Sequence, residues 1–159
     1  MTLDNKRRLG IAGSFVIAFI LASISGPDWL DPLRPDWVAL VLIYWCLVLP
    51  ERIGIGTGWF AGLLLDVVYG SMLGQHALAK TLLAFLVLKL HLRVRIYPPW
   101  QQALVVGLLL TINHIIIIWV RTIGGQADAP GKLWFTIIVG AALWPVLSTV
   151  LRNLRRRFA

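Results

Sequence analysis

Residues 100–120, WQQALVVGLLLTINHIIIIWV, contain no charged side chain over 21 positions. A helix of that length spans about 30 Å, which is the thickness of the hydrocarbon core of a bilayer. Two further uncharged runs lie at residues 9–25 and 133–151. Polar and apolar residues do not alternate in these runs, so the runs predict helices rather than barrel strands. The pattern predicts an all-α integral membrane protein.

The composition agrees with a membrane protein. Hydrophobic residues make up 58% of the 159 residues, charged residues make up 14%, and the mean hydropathy is +0.80. A soluble domain of this length could not bury so much apolar surface. The single cysteine, Cys46, excludes an internal disulfide, and no Cys/His spacing indicates a zinc site. We interpret 9–25 as a retained first span, because its 17 residues exceed the apolar part of a signal peptide, usually about 7–15 residues.

We predict one transmembrane domain over residues 1–159, a bundle of six transmembrane helices. The predicted spans are approximately 9–25, 37–49, 53–69, 76–92, 100–120 and 133–151. The second span is short for a bilayer, and prolines at 27, 32 and 35 separate it from the first. A four-span alternative, in which the second and third spans form a re-entrant pair, stays open.

The basic residues predict the orientation of the bundle. With six spans, eleven lysines and arginines fall on one side, three on the other, and Lys80 lies within a span. Loops rich in Lys and Arg stay in the cytoplasm, so both termini are predicted to be cytoplasmic. The formal net charge of +8 is thereby explained by topology signals and contact with anionic membrane lipids, without nucleic acid as a partner.

Glycines recur at a spacing of four residues around the third predicted span, and Asp66 occupies one position of this series. Residues at this spacing form one stripe on a helix, and glycines on such a stripe allow another helix backbone to come close. Asp66 is therefore predicted to face protein rather than lipid. The members of the stripe are Gly54, Gly58, Gly62, Asp66 and Gly70.

An intramembrane polar cluster is predicted from Asp66, Lys80, Asn113 and His114, which reach the same outer half of the bundle. We predict an Asp66–Lys80 ion pair supported by Asn113 or His114, because a lone buried charge costs several kcal/mol. Two interpretations of the cluster stay open: a proton or substrate site, and structural contact between helices. The second is favoured, since a proton-driven transporter usually carries a chain of ionisable groups.

No catalytic motif is present in the sequence. It lacks paired carboxylates, a nucleophile elbow, a P-loop and an HExxH motif. The loops are too short to hold a soluble catalytic domain. We therefore expect no enzymatic activity, no metal and no cofactor.

An ordered set of short motifs resembles the rod shape-determining MreD family in the form found in gammaproteobacteria. No single motif is specific, but their order and spacing together are. The motifs are RPDW at 34–37, YW at 44–45, LP at 49–50, GxxxGxxxD across 58–66, GSxLG at 70–74, PWQQALVV at 99–106 and ALWP at 142–145.

The resemblance implies a multi-pass protein of the bacterial inner membrane without known enzymatic activity. Members of the family act in the cell-elongation complex, beside MreC, the actin-like MreB, the glycosyltransferase RodA and an elongation-specific penicillin-binding transpeptidase. That complex steers side-wall peptidoglycan insertion, and its loss turns rods into spheres. The resemblance also implies a distant similarity to the substrate-binding subunits of energy-coupling-factor vitamin transporters, which are six-helix bundles.

The resemblance also suggests functional residues. Arg34, Pro35 and Trp37 match the family pattern and are expected to hold the second span or to contact MreC. The glycines and aspartate of 58–66 match the family's third span, whereas Lys80 matches no motif. The alternative function is a small-molecule, vitamin-like substrate-binding subunit of a transporter. It predicts an outward-open pocket lined by residues 59, 66, 80 and 114.

Overall fold

The computed structural model describes residues 3–23, 36–50, 53–69, 74–125 and 131–157. Those residues form six helices and no strand, so the all-α prediction is confirmed. The helices are α1 Leu3–Ser23, α2 Trp37–Val48, α3 Ile55–Tyr69, α4 Gln75–Val94, α5 Pro99–Ile123 and α6 Gly131–Arg157.

The helices at the two ends of the chain extend beyond the predicted apolar spans. Helix α1 begins at Leu3, so it includes the basic residues 6–8, and α6 continues through the basic segment to Arg157. Lysine and arginine interrupt an apolar run, but they are good helix formers and do not end a helix. Their long side chains also allow the charged groups to reach water from a helix end. Hydropathy thus locates the apolar run rather than the ends of the helix.

Helix α2 lies at the centre of the protein. All ten residues from Val38 to Leu47 are buried, and α2 packs against α1, α4 and α6. A helix that is apolar on every side is expected to be surrounded by other helices. Protein therefore encloses residues 38–47 of this short helix.

Consecutive helices α3 to α6 pack against one another, and α3 and α4 form the most extensive interface. Arg7 of α1 and Arg155 of α6 line one cavity. The N-terminal part of α1 and the C-terminal part of α6 therefore lie at the same end of the protein. We call this the arginine end. Asp36, before α2, and Asp66, late in α3, mark the opposite, aspartate end.

Two helical segments of the described chain are long and apolar enough to cross a membrane by length and composition, namely Pro99–Ile123 and Phe135–Arg157. Helix α2 and residues 55–68 of α3 are shorter apolar helices. Large apolar side chains are also exposed on the surface, as expected for contact with lipid. They include Ile17, Val67, Leu104, Leu108, Trp119 and Val146.

Candidate functional site

The polar cluster lies beside a close contact between α3 and α4. A Cβ atom built on Gly58 would lie 2.7 Å from the carbonyl oxygen of Lys80. A Cβ atom on Gly62 would overlap the backbone of His76 and Ala77. Only glycine allows the two helix backbones to approach this closely, as in other small-residue contacts between membrane helices. This contact brings the end of α3 to the first turn of α4.

Asp66 caps the N-terminus of α4 from the neighbouring helix. Its Oδ2 accepts a hydrogen bond from the backbone N–H of Gly74 at 2.9 Å, and its Oδ1 accepts one from the N–H of His76 at 2.8 Å. The Nδ1 atom of the His76 ring also lies 2.8 Å from Oδ1. The first N–H groups of a helix have no partner within the helix, and their partial positive charge favours a carboxylate.

Gly74 explains why the cap comes from outside α4. It is the N-cap residue of α4 and adopts φ +100°, a left-handed conformation that favours glycine. Glycine has no side chain with which to accept a hydrogen bond from the helix. The carboxylate of Asp66, which is 1% exposed, takes that role. Asp66 is therefore a structural cap that joins α3 to α4.

Lys80 is fully buried and binds side chains from two other helices. Its Nζ atom donates to Oδ2 of Asp36 at 2.7 Å and to Oδ1 of Asn113 at 3.1 Å. Asn113 also donates from Nδ2 to the same oxygen of Asp36, at 3.3 Å. The three side chains thus form a closed network that joins the start of α2 to α4 and α5. A buried ion pair of this kind is tolerated because each charge is hydrogen-bonded.

Asp36 has a second role as the N-cap of α2. Its Oδ1 accepts a hydrogen bond from the backbone N–H of Ala39 at 3.1 Å, while Oδ2 receives Lys80 and Asn113. Burial alone raises the pKa of Asp36, but the Lys80 ammonium and the His114 ring outweigh burial and hold this pKa well below its usual range. Asp36 is therefore ionised, and one carboxylate both caps a helix and neutralises a buried lysine.

Comparison with known proteins identifies the family. The model of the family described as rod shape-determining protein MreD matches residues 6–154. The chain belongs to the MreD family. It is also 33% identical over 147 residues to the rod shape-determining protein MreD of Haemophilus influenzae, which covers 92% of this chain and 91% of that protein. No solved structure matches the chain.

Family membership confirms the resemblance seen in the sequence motifs and assigns the chain a role in cell shape. MreD proteins are membrane proteins that act in the rod-shape system with other shape-determining proteins. They are structural proteins and are not known as enzymes. In the described part of this MreD-family chain, no group of three His, Cys, Asp or Glu side chains could hold a metal ion.

The predicted Asp66–Lys80 ion pair is wrong. Asp66 binds the first turn of α4 and the His76 ring, whereas Lys80 binds Asp36 of the RPDW motif. The physical reason is that the N-terminal N–H groups of α4 lack a side-chain cap of their own and donate to Asp66 across the α3–α4 contact. Lys80 lies farther along α4, beside the start of α2, where Asp36 is available.

The other predicted residues have different positions. Asn113 belongs to the Lys80 network, but the His114 ring bonds to the carbonyl of Leu110 in its own helix. Trp37 is the first residue of α2 and packs against the core. A Cβ on Gly54 would make only an ordinary contact with Leu88. Three predicted residues lie outside the described ranges: Arg34, Pro35 and Gly70.

Two residues of the cluster, Asp36 and His76, are not among the residues that the sequence predicts for it. Asp36 lies between the selected residues of the RPDW motif, and aspartate directly before an apolar run is a common N-cap signal that could have identified it. His76 lies two residues after Gly74, in the first turn of α4, where its ring contacts Asp66. No sequence signal indicates that contact in advance.

Proposed function

We propose that this MreD-family protein is a non-enzymatic scaffold of the cell-elongation complex in the bacterial inner membrane. It helps to position side-wall peptidoglycan synthesis and maintains the rod shape through direct association with MreC. MreB, RodA and the elongation-specific penicillin-binding transpeptidase belong to the same complex. Neither a cofactor nor nucleic acid takes part.

The observation that carries the proposal is the closed state of the polar cluster. Lys80 and Asn113 are 0% exposed, and their hydrogen bonds go to Asp36 and to each other. A substrate-binding site needs polar groups that are accessible and available for the ligand. Groups that satisfy one another instead fix the positions of helices, which is what a scaffold requires.

The same observation argues against the transport alternative. The outward-open pocket expected for a vitamin-binding subunit was to be lined by Trp59, Asp66, Lys80 and His114. Trp59 is 52% exposed on the surface, whereas Asp66 and Lys80 are buried in separate hydrogen-bonded groups. The similarity to energy-coupling-factor proteins that the family resemblance implies would then be one of architecture rather than of function.

We infer a six-span topology with both termini in the cytoplasm. The outer residues of α1 and α6 lie at the arginine end, and arginine-rich ends of membrane helices remain in the cytoplasm. The aspartate end then faces the periplasm. In a variant in which Cys46 is replaced by alanine, a cysteine at position 156 should react only with a membrane-permeant thiol reagent. Labelling of intact cells by an impermeant reagent would contradict this orientation.

The experiment that tests the proposed function is depletion of the protein in its rod-shaped host, followed by imaging of cell shape. Cells should swell into spheres, and the wild-type chain should restore rods and co-purify with MreC. Lys80→Met should fail in both respects, because it removes the cation that neutralises the part-buried carboxylate of Asp36. Gly56→Ala serves as a matched control, since a Cβ there meets no neighbouring atom within 4 Å. Depleted cells that remain rods would refute the proposal and direct attention to uptake assays.

A further inference from the structure

A pocket of about 180 Å³ opens at the arginine end, between α2, the start of α5 and the last turns of α6. Three arginines line it: Arg95, the C-cap of α4, and Arg152 and Arg155 of α6. We call this site the arginine pocket. Its polar and aromatic lining is completed by Tyr44, Gln102, Trp144 and Ser148.

The Tyr44 hydroxyl is an unused hydrogen-bonding group in this pocket. Tyr44 is 4% exposed, and its hydroxyl has no hydrogen-bond partner among the described residues. A buried hydroxyl without a partner is unfavourable, so such groups call for an explanation. Tyr44, on the central helix, is one of the residues that line the pocket. A ligand oxygen in the pocket would supply the missing partner.

The neighbouring polar groups are already bonded to protein. The Trp144 indole Nε1 donates to Oε1 of Gln102 at 3.3 Å, and Nε2 of Gln102 donates to the carbonyl of Val94 at 3.0 Å. The Ser148 hydroxyl donates to the carbonyl of Pro145 at 3.0 Å. These bonds fix the walls of the pocket and leave the guanidinium groups and the Tyr44 hydroxyl for a ligand.

The charge of the pocket selects an anion. The acidic side chains that the structure describes, Asp36 and Asp66, both lie at the aspartate end and are engaged there. The three arginines therefore face the pocket without a described carboxylate to neutralise them. Guanidinium groups bind phosphate through paired hydrogen bonds, and a buried tyrosine hydroxyl adds a donor.

The size and position of the pocket restrict the class of anion that can bind. Pockets for drug-sized ligands usually hold about 300–1,000 Å³, so a volume of about 180 Å³ suits a single headgroup rather than a nucleotide or a sugar chain. The pocket lies at the ends of the helices, where lipid headgroups surround a membrane protein. A zwitterionic headgroup would bring an ammonium group towards three guanidinium groups and be repelled.

We propose that the arginine pocket binds the phosphate group of an anionic membrane lipid. The guanidinium groups of Arg95, Arg152 and Arg155 hold the phosphate oxygens, and the Tyr44 hydroxyl donates to one of them. The acyl chains remain in the surrounding bilayer. The site goes beyond the scaffold role and requires only that the protein is in a membrane, so failure of the cell-shape experiment would leave this test intact.

The test uses the purified full-length protein in nanodiscs of phosphatidylcholine with increasing phosphatidylglycerol, followed by thermal unfolding. The wild-type Tm should rise and reach a plateau as a site fills. Tyr44→Phe should unfold like the wild type, or at a higher temperature, in pure phosphatidylcholine, because it removes an unpartnered hydroxyl. It should need about tenfold more phosphatidylglycerol for the half-maximal Tm shift, as expected from loss of one hydrogen bond to a charged group.

Arg152→Gln should abolish most of the Tm shift, and Arg93→Gln is its matched control. Arg93 is exposed at the same end and carries the same charge, but it does not line the arginine pocket. If both variants lose the Tm shift equally, the lipid is attracted by the overall surface charge rather than bound in the pocket, and the proposal is overturned. The absence of any Tm shift would also overturn it. Saturation by inorganic phosphate in phosphatidylcholine nanodiscs would show that the ligand is the free anion rather than a lipid.

Discussion

Replacement of Gly62 by alanine tests whether the α3–α4 contact determines the stability of the protein. The added Cβ would overlap the backbone of Ala77 and the carbonyl oxygen of His76. Neither atom belongs to a flexible side chain, so rotation cannot relieve the overlap. The two helices must separate by roughly 1 Å to restore van der Waals contact.

The free energy of unfolding should fall by about 2–4 kcal/mol. Overpacking of a close contact costs about 1–3 kcal/mol, because neighbouring groups must shift. Separation of α3 from α4 also stretches the hydrogen bonds from Gly74 and His76 to Asp66, which lies one turn after Gly62. A hydrogen bond to a charged group contributes about 1.5–3 kcal/mol, so even its partial loss adds to the cost. The intrinsic preference of alanine for helix, about 1 kcal/mol, offsets part of it.

The measurement is unfolding of purified protein in mixed micelles with increasing dodecyl sulfate, followed by circular dichroism. Gly56→Ala provides the control within the same helix, because a Cβ at Gly56 meets no neighbouring atom within 4 Å. The control should lie within about 1 kcal/mol of the wild type, on the stabilising side. If Gly62→Ala unfolds at the same dodecyl sulfate fraction as Gly56→Ala, the close contact does not hold α3 against α4.

Three further measurements probe the hydrogen-bonded groups. Lys80→Met should lower the free energy of unfolding by about 3–5 kcal/mol. The double variant Lys80→Met/Asp36→Asn should lose less stability than the two single variants together. If the two losses simply add, the ion pair is contradicted. Asp66→Asn should lower the free energy of unfolding by about 1–2 kcal/mol, because the cap of α4 loses its charge. An unchanged free energy of unfolding would show that this cap does not stabilise the protein. Ser14→Ala should lower the free energy of unfolding by about 1–3 kcal/mol, because the Trp45 indole donates a hydrogen bond to Ser14 at 2.8 Å. If Ser14→Ala has the same effect in a Trp45→Phe variant, the hydrogen bond is not the reason for the loss.

The sequence predicted the existence and approximate position of each helix because apolar runs of bilayer length leave few alternatives. The glycine stripe likewise indicated a packing face, since residues four apart share one side of a helix. Neither pattern contains information about which charged groups meet. The sequence places Asp66 and Lys80 at similar depths in adjacent helices, so predicted depth favoured their pairing. In the structure Asp66 lies level with the first turn of α4, whereas Lys80 lies farther along α4, level with Gly58.

The missed role of Asp36 has a physical explanation. Residues 34–37 match a family motif, and residues 34–36 lie outside the predicted spans, where the sequence gives no sign of contact with a buried charge. Asp36 lies directly outside a span, but its helix is short and enclosed by protein, so the residue is nevertheless close to buried Lys80. The arginine pocket could not be predicted from the sequence either, because its arginines come from two segments more than 50 residues apart.

The short central helix and the buried ion pair depend on each other. Helix α2 has 12 residues and is about 18 Å long, well below the thickness of the hydrocarbon core. Its N-terminus therefore ends among neighbouring helices, where unpaired N–H groups are costly. Asp36 caps that end, but a carboxylate at this position requires a cation, which Lys80 of α4 supplies, and Asn113 of α5 binds both. A shift of α2 along its axis would carry Asp36 with it and break its bonds to Lys80 and Asn113, so the network fixes the position of the central helix against α4 and α5.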